Sequence, residues 1–132
     1  MGQATTEVTI TNLCDLLEVR AGDRLPEDVR KVVVRDAIVD TGVTSMMLPQ
    51  KLIAQLGLVK RYEMFANTAE GHQMVNIYDP VRVEIMDRYA TVEPIETLEG
   101  NTVTIGHVLL TMMDWVVDVQ SRKLIGSSAY VW

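Results

Sequence analysis

A single carboxylate stands where an apolar strand ends. Residues 37 to 39 are Ala-Ile-Val, Asp40 follows directly, and Thr41 and Gly42 then turn the chain. An ionised carboxylate taken out of water without a partner is costly, so such a group changes its protonation or gains hydrogen bonds. The chemistry available at this position is that of a carboxylic acid and its conjugate base. Asp40 is therefore the first candidate for a functional residue.

The Asp-Thr-Gly triplet is a weak signal by itself, because ordinary residue usage produces Asp-Ser/Thr-Gly by chance in roughly one chain in fifteen of this length. Its simplest interpretation is a turn, in which Asp40 caps a backbone N–H and Gly42 supplies a positive φ angle. The surroundings add weight. Thr44 and Ser45 follow, then an apolar run and a helix ending in "LGL", and much later "VTIGHVLL" pairs an apolar strand end with Gly106.

The elements that must position Asp40 are predicted to be mostly strands. Alternating or continuous apolar runs at 7–13, 29–40, 44–48, 81–86 and 89–98 are typical of β-structure. The stretch "LEVR" at 17–20 is predicted to be another strand, and "DR" at 87–88 a tight turn. The segment 62–78 has β-rich flanks around Asn67, Ala69, Glu70 and Gly71, the composition of a hairpin tip.

Two short helices complete the predicted elements. "LPQKLIAQLGL" has Pro49 where a first helical turn tolerates it, apolar residues on one face and Gly57 at its end. "GHVLLTMMDW" shows helical spacing after Gly106, and "VVDV" after it is predicted to be a strand. The fold class is therefore all-β, with one or two short helices.

Composition narrows the classes of function. The chain has 132 residues, 48% of them hydrophobic, and a net charge of −6, which fits one domain spanning residues 1–132. No run of Lys or Arg is present, so nucleic acid is not expected as a partner, and no apolar stretch is long enough to span a membrane. The first residues lack the pattern of a signal peptide, and a cytoplasmic location is expected.

Metal and cofactor sites are not expected. Cys14 is the only cysteine, which excludes an internal disulfide and a cysteine metal cage, and it is predicted to be a small buried hydrophobic residue. His72 and His107 lie far apart in the sequence without a nearby acidic pattern, so a zinc site has little support. No phosphate-binding or dinucleotide-binding glycine motif is present.

The order of these segments resembles the retropepsin-like aspartic proteases, in particular their small bacterial single-domain members. The resemblance covers nearly the whole chain: "ITNLCDLLEVR", then "AIVDTGVTSMMLPQKLIAQLGL" as catalytic loop and helix, "ANTAEG" as a flap tip, "TIGHVLL" as the hydrophobic-Gly signature, and "WVVDVQSRKL" as closing strands. It implies a half-barrel that forms a closed β-rich domain. Val43 departs from the alanine most often found after Asp-Thr-Gly.

The resemblance also implies a site. Two Asp carboxylates lie side by side, share one proton and hold a water molecule that attacks a peptide carbonyl, because like charges about 3 Å apart cannot both ionise easily. Asp40, Thr41 and Gly42 would be the catalytic triplet, with Thr41 bracing the two active-site loops. Thr44, Ile105 and Gly106 would support that loop. The segment from Phe65 to Met74, with Asn67, Ala69, Glu70 and Gly71 at its tip, would be a flap over the substrate.

The sequence holds only one Asp-Thr-Gly, and Asp36, Asp114 and Asp118 stand in other settings. One chain therefore supplies half of a catalytic site, and a two-fold homodimer would bring two copies of Asp40 together. The expected partners are a second copy of the chain and a peptide or protein substrate. The terminal "SSAYVW" is expected to pack across that dimer.

Three functions remain open on the sequence. The first is a homodimeric aspartic endopeptidase. The second is a peptide-binding or dimerisation module of the same fold without turnover. The third is a β-domain in which Asp40 only caps its turn, although a turn cap would not require the accompanying Ile105-Gly106 segment.

Overall fold

The computed structural model describes residues 4–68, 71–97 and 100–126 of the chain, and these residues form eleven strands, three short α-helices and one 3₁₀ turn. The strands are β1 (Thr5–Asn12), β2 (Lys31–Val39), β3 (Met46–Leu48), β4 (Lys60–Thr68), β5 (Gly71–Tyr78), β6 (Val81–Ile85), β7 (Arg88–Val92), β8 (Ile95–Glu96), β9 (Thr104–Ile105), β10 (Trp115–Asp118) and β11 (Lys123–Gly126). The helices are α1 (Leu13–Arg20), α2 (Gln50–Leu56) and α3 (His107–Met112), and the 3₁₀ turn is Pro26–Asp28. The all-β class predicted from the sequence is confirmed, and the large sheet curls into the expected half-barrel.

Nine strands form one sheet in the order β4-β5-β8-β3-β9-β2-β1-β6-β7, and β10 and β11 form a separate hairpin. Most neighbours pair antiparallel, as in β1 with β2 and β4 with β5. The short strand β9 has one parallel and one antiparallel neighbour. It runs parallel to β2 and antiparallel to β3, so it lies between the two strands that flank the Asp40 loop.

The core follows the alternation predicted from the sequence. In β6, for example, Val81, Val83 and Ile85 are fully buried while Arg82 is exposed, because successive side chains of a strand point to opposite faces. The cluster continues through the helices, where Ile53 contributes from α2. Burial of this apolar surface, at about 25 cal/mol per Å², is the main force that holds the curled sheet around the loop.

The prediction of a strand at residues 17–20 is wrong, because these residues end helix α1. The helix begins at a cap, where the Asn12 side chain accepts a hydrogen bond from the Asp15 backbone N–H at 3.1 Å. The buried Asp15 carboxylate then accepts from both Nε and Nη2 of Arg30 at 2.9 Å. These contacts join the start of the helix to the chain fifteen residues later, and local propensity does not reveal them.

Three further features refine the prediction. Cys14 is exposed, so the expectation that it is buried is wrong: the buried side of α1 is occupied by Asp15. The turn between β6 and β7 comprises residues 86 and 87, one position earlier than predicted, since Ile85 pairs with Arg88. Helix α2 lies where the sequence predicts it, and Gly57 ends it in the left-handed conformation with a φ of 67°. Within the described ranges no helix is long and apolar enough to cross a bilayer.

Candidate active site

Asp40 begins the loop that leaves β2, and its backbone is held on both sides. Its N–H donates to the Ile105 carbonyl at 3.0 Å, and its own carbonyl accepts from the Val43 N–H at 3.1 Å. One side-chain oxygen, Oδ1, accepts from the Gly42 N–H at 2.9 Å. The residue is partly buried. The loop therefore holds the Asp40 backbone on both sides and the carboxylate through Oδ1.

Gly42 lies close to that carboxylate. Its φ is not positive, so the expectation of a positive φ at this turn is wrong, and the glycine matters here through space. A Cβ atom at this position would lie 3.2 Å from Asp40 Oδ1, tighter than most side-chain contacts. The bond from the Gly42 N–H is also the bond that a turn-capping aspartate makes, so it is common to the catalytic and the turn-cap interpretations. What separates those interpretations is how the rest of the protein supports the loop.

The support comes from the segment Ile105-Gly106. Ile105 is fully buried, and the loop rests on the chain that follows it: the His107 N–H donates to the Val43 carbonyl at 2.8 Å, and the Val108 N–H donates to the Thr44 carbonyl at 3.1 Å. The first turn of α3 thereby supplies backbone donors to the loop. The two segments, more than sixty residues apart in sequence, form one unit.

Gly106 makes this close approach feasible. A Cβ atom there would lie 2.5 Å from the Val43 carbonyl oxygen, 2.6 Å from the Thr44 carbonyl carbon and closer still to the Ser45 carbonyl oxygen. The backbone of Gly106 has a φ of −91°, which any residue adopts, so the glycine is required for space and not for conformation. A turn that only needed capping would not require another segment to approach this closely.

His107 adds a contact that sequence reasoning missed. Its Nδ1 atom lies 3.0 Å from the Val43 carbonyl oxygen, so the tautomer that carries its proton on Nδ1 donates a second hydrogen bond to that carbonyl. The position directly after the signature glycine is the only sequence signal for it. His107 is exposed, so this contact with the loop lies at the surface of the chain.

The two threonines of the loop, Thr41 and Thr44, are exposed. The Thr41 bracing contact expected from the resemblance runs between two loops related by symmetry, so it requires a second subunit. Thr44 instead supports the loop through its backbone carbonyl, which accepts from Val108.

The segment predicted to be a flap forms a long antiparallel hairpin from β4 and β5, with the pairs Met64 with Val75 and Ala66 with Gln73. Asn67 and Gly71 lie near its end and are exposed. Gly71 has a φ of 105°, which favours glycine. Ala69 and Glu70, the other two residues assigned to the tip, lie outside the described residues, as do residues 127–132 of the terminal segment.

A cleft of about 530 Å³ separates the hairpin from the loop. It is bounded on the loop side by Thr44 and Ser45 and on the hairpin side by residues of β4 and β5, and its remaining wall comes from the segment around β8. Its lining is mostly apolar; the described residues that line it are Thr44, Ser45, Tyr62, Met64, Phe65, Ala66, Asn67, Val75, Ile77, Val92, Glu93 and Ile95. A second cleft, between β2 and α2, is lined by none of residues 40–45.

The arrangement of strands and loop has a counterpart among solved structures. The chain is similar to the retroviral protease-like domain of Ddi1 from Leishmania major, with a TM-score of 0.57 and 17% identity over 98% of this chain and 91% of that one. No protein-family model matches the chain, and no curated protein matches it. The similarity shows the fold: this protein has a retropepsin-like fold over nearly its whole length.

Proposed function

We propose that this protein is an aspartic endopeptidase that acts as a homodimer, with Asp40 of each subunit forming the catalytic pair. The observation that carries the proposal is the anchored Asp40 loop, whose backbone is hydrogen-bonded to Ile105, His107 and Val108. The end of this loop lines an apolar cleft that the hairpin also lines. The retropepsin-like fold is the fold in which such a loop is expected to be catalytic. The chain would work as a single domain in the cytoplasm, without a cofactor.

The chemistry requires two carboxylates that share one proton. The ionised Asp40 takes a proton from a water molecule while the water oxygen bonds to the carbonyl carbon of the peptide, and the protonated Asp40 of the second subunit donates its proton to the carbonyl oxygen. The resulting tetrahedral diol collapses when the first Asp40 returns its proton to the amide nitrogen, the second Asp40 takes a proton from one hydroxyl, and the C–N bond breaks. The pair is then back in its starting protonation state. A single chain has one Asp in this setting, and a two-fold axis would supply the other.

The cleft fits an extended peptide. An extended chain can bind beside strands through main-chain hydrogen bonds, while its side chains enter pockets on alternate sides. The apolar residues Met64, Val75 and Ile77 of the hairpin line the cleft and would contact such side chains. The hairpin would then act as the flap, with Asn67 and Gly71 near its tip.

Hydrolysis of a peptide library by the parent protein and by Asp40→Asn tests the proposal. Asp36→Asn is a matched control, because this substitution removes the same charge from an exposed position of β2, four residues before Asp40. We expect cleavage by the parent and by Asp36→Asn, and a loss of at least 10³-fold for Asp40→Asn, on the order of removing a group essential to the chemistry.

Two results would contradict the proposal. Equal cleavage by the parent and Asp40→Asn would show that another group, or a contaminant, cleaves the peptides. Absence of cleavage by all three proteins, together with binding of peptides, would instead favour the second function, a peptide-binding or dimerisation module of the same fold.

A further inference from the structure

A charged side chain lines the cleft. Among the described residues that line it, only Glu93 carries a charge, and it directly follows β7 in the wall around β8. Its side chain is 39% exposed, so the carboxylate is reached from the cleft without being fully solvated. A carboxylate in an apolar wall does not contribute to apolar packing, so its hydrogen bonds and ion pairs indicate what it does there.

The orientation of Glu93 is set by Tyr62 of the hairpin. The Tyr62 hydroxyl donates to Glu93 Oε1 at 3.0 Å, and this hydrogen bond raises the pKa of the Tyr62 phenol. The bond joins the hairpin to the cleft wall around β8. It holds Oε1, and Oε2 is the other oxygen of the Glu93 carboxylate.

Oε2 is not satisfied by a hydrogen bond within the described parts of the chain. The nearest cation, Arg61, has its Nε atom 3.7 Å from Oε2, which is within ion-pair range but beyond hydrogen-bond distance. Both side chains are well exposed, and such surface pairs contribute about 0–1 kcal/mol. The weak ion pair with Arg61 therefore leaves Oε2 of Glu93 able to accept a hydrogen bond from another cationic group.

We infer that Glu93 and Tyr62 form a subsite for a cationic side chain, Lys or Arg, of the bound peptide. The ammonium or guanidinium group would donate to Oε2, and the Tyr62 ring, held beside the carboxylate by its own hydroxyl, would contact the cation through its face. The inference rests on the proposed function in that the cleft is taken as the peptide site. It adds a charge preference to a cleft whose other walls favour apolar side chains.

Binding to the inactive protein tests this subsite independently of turnover. A single lysine is moved through each position of a fluorescently labelled apolar octapeptide, with norleucine as the neutral match, and Kd is measured by anisotropy with Asp40→Asn. Lysine at one or two positions should tighten binding about fivefold over norleucine, the ratio that corresponds to a partly exposed ion pair. The preference should shrink as salt is raised, since the contact is partly solvated.

Two variants made in the Asp40→Asn background locate the effect. Glu93→Gln should abolish the lysine preference. Glu63→Gln is its matched control: Glu63 lies on the same hairpin, is not among the described residues that line the cleft, and forms an ion pair with Lys60. It removes the same charge and should keep the preference.

A third variant, Tyr62→Phe, keeps the ring but removes the hydroxyl. It should reduce the lysine preference in part.

The outcomes separate the inference from the proposed function. A lysine preference that disappears in Glu93→Gln alone supports the subsite even if the parent protein cleaves no peptide, in which case only the proposed hydrolysis fails. Equal binding of lysine and norleucine peptides, a preference that survives Glu93→Gln, or an equal loss in Glu63→Gln would each overturn the subsite while leaving peptide cleavage by Asp40 untouched.

Discussion

Substitution of Gly106 by alanine tests how the Asp40 loop is supported. The added methyl group would meet three backbone atoms of residues 43–45 at distances that no side chain tolerates, and backbone atoms cannot rotate away as the end of a flexible side chain can. Either the loop or α3 must shift. Since the hydrogen bonds from His107 and Val108 join these two segments, the shift should weaken both bonds.

The expected cost is that of overpacking a tight site. Such changes cost about 1–3 kcal/mol, and the rigid backbone contacts place Gly106→Ala at the upper end, about 2–3 kcal/mol after the small gain from a stiffer unfolded chain. For a chain of this size, each kcal/mol lowers Tm by about 3–4 °C, so a cost of about 2–3 kcal/mol should lower Tm by about 6–12 °C.

Gly22 is the matched control because it needs glycine for its backbone conformation, whereas Gly106 needs glycine for space. A Cβ atom at Gly22 would have nothing within 4 Å, but its φ of 84° is a conformation that alanine adopts with strain. Gly22→Ala should therefore cost about 1 kcal/mol, from backbone conformation alone. The comparison separates lack of space from lack of conformational freedom.

Thermal unfolding followed by circular dichroism measures both variants, at one fixed protein concentration because dimerisation would shift Tm. Amide hydrogen exchange should also show faster exchange at His107 and Val108 in Gly106→Ala and unchanged exchange there in Gly22→Ala. A fall in Tm for Gly106→Ala no larger than for Gly22→Ala, with normal protection of those two amides, would refute the close packing of loop and helix.

Three further predictions address other parts of the molecule. The hydrogen bonds from Arg30 lower the pKa of Asp15, so this carboxylate stabilises the fold above about pH 4 and the contribution is lost as the pH falls through the lowered folded-state value. Asp15→Asn should cost about 2–3 kcal/mol near neutral pH in urea unfolding and flatten the acid limb of the stability profile; an unchanged profile would contradict this. Burial and the hydrogen bond to Glu96 raise the pKa of Tyr78 to about 12. The protonated Tyr78 phenol should therefore make its whole contribution to the free energy of unfolding below about pH 10, and this contribution should decline as the pH rises toward 12. Tyr78→Phe should remove that decline in equilibrium unfolding. If two copies of Asp40 meet in a dimer, Asp40→Asn should preserve or tighten it by relieving like-charge repulsion, and dissociation of the variant in sedimentation velocity would count against the shared site.

The sequence determined much of the scaffold. The alternation of apolar residues predicts the β class, because a half-buried strand must place every second side chain in the core, and the helix at α2 is readable from its apolar face and from Gly57 at its end. The Asp-Thr-Gly triplet and the later Ile105-Gly106 are visible as residues, and their order suggests a retropepsin-like arrangement. These signals are local or follow a simple period.

The tertiary structure decided which distant residues meet, and that could not be derived from local pattern. Helix α1 forms in a stretch that resembles a strand because the buried Asp15 is held by Arg30, a partner fifteen residues away. The need for glycine at position 106 arises from backbone atoms more than sixty residues earlier, and the Glu93 carboxylate is held by the hydroxyl of Tyr62, which lies thirty-one residues earlier on the hairpin. Close packing and single hydrogen bonds between remote segments leave no periodic trace in a sequence, so only the folded chain shows them.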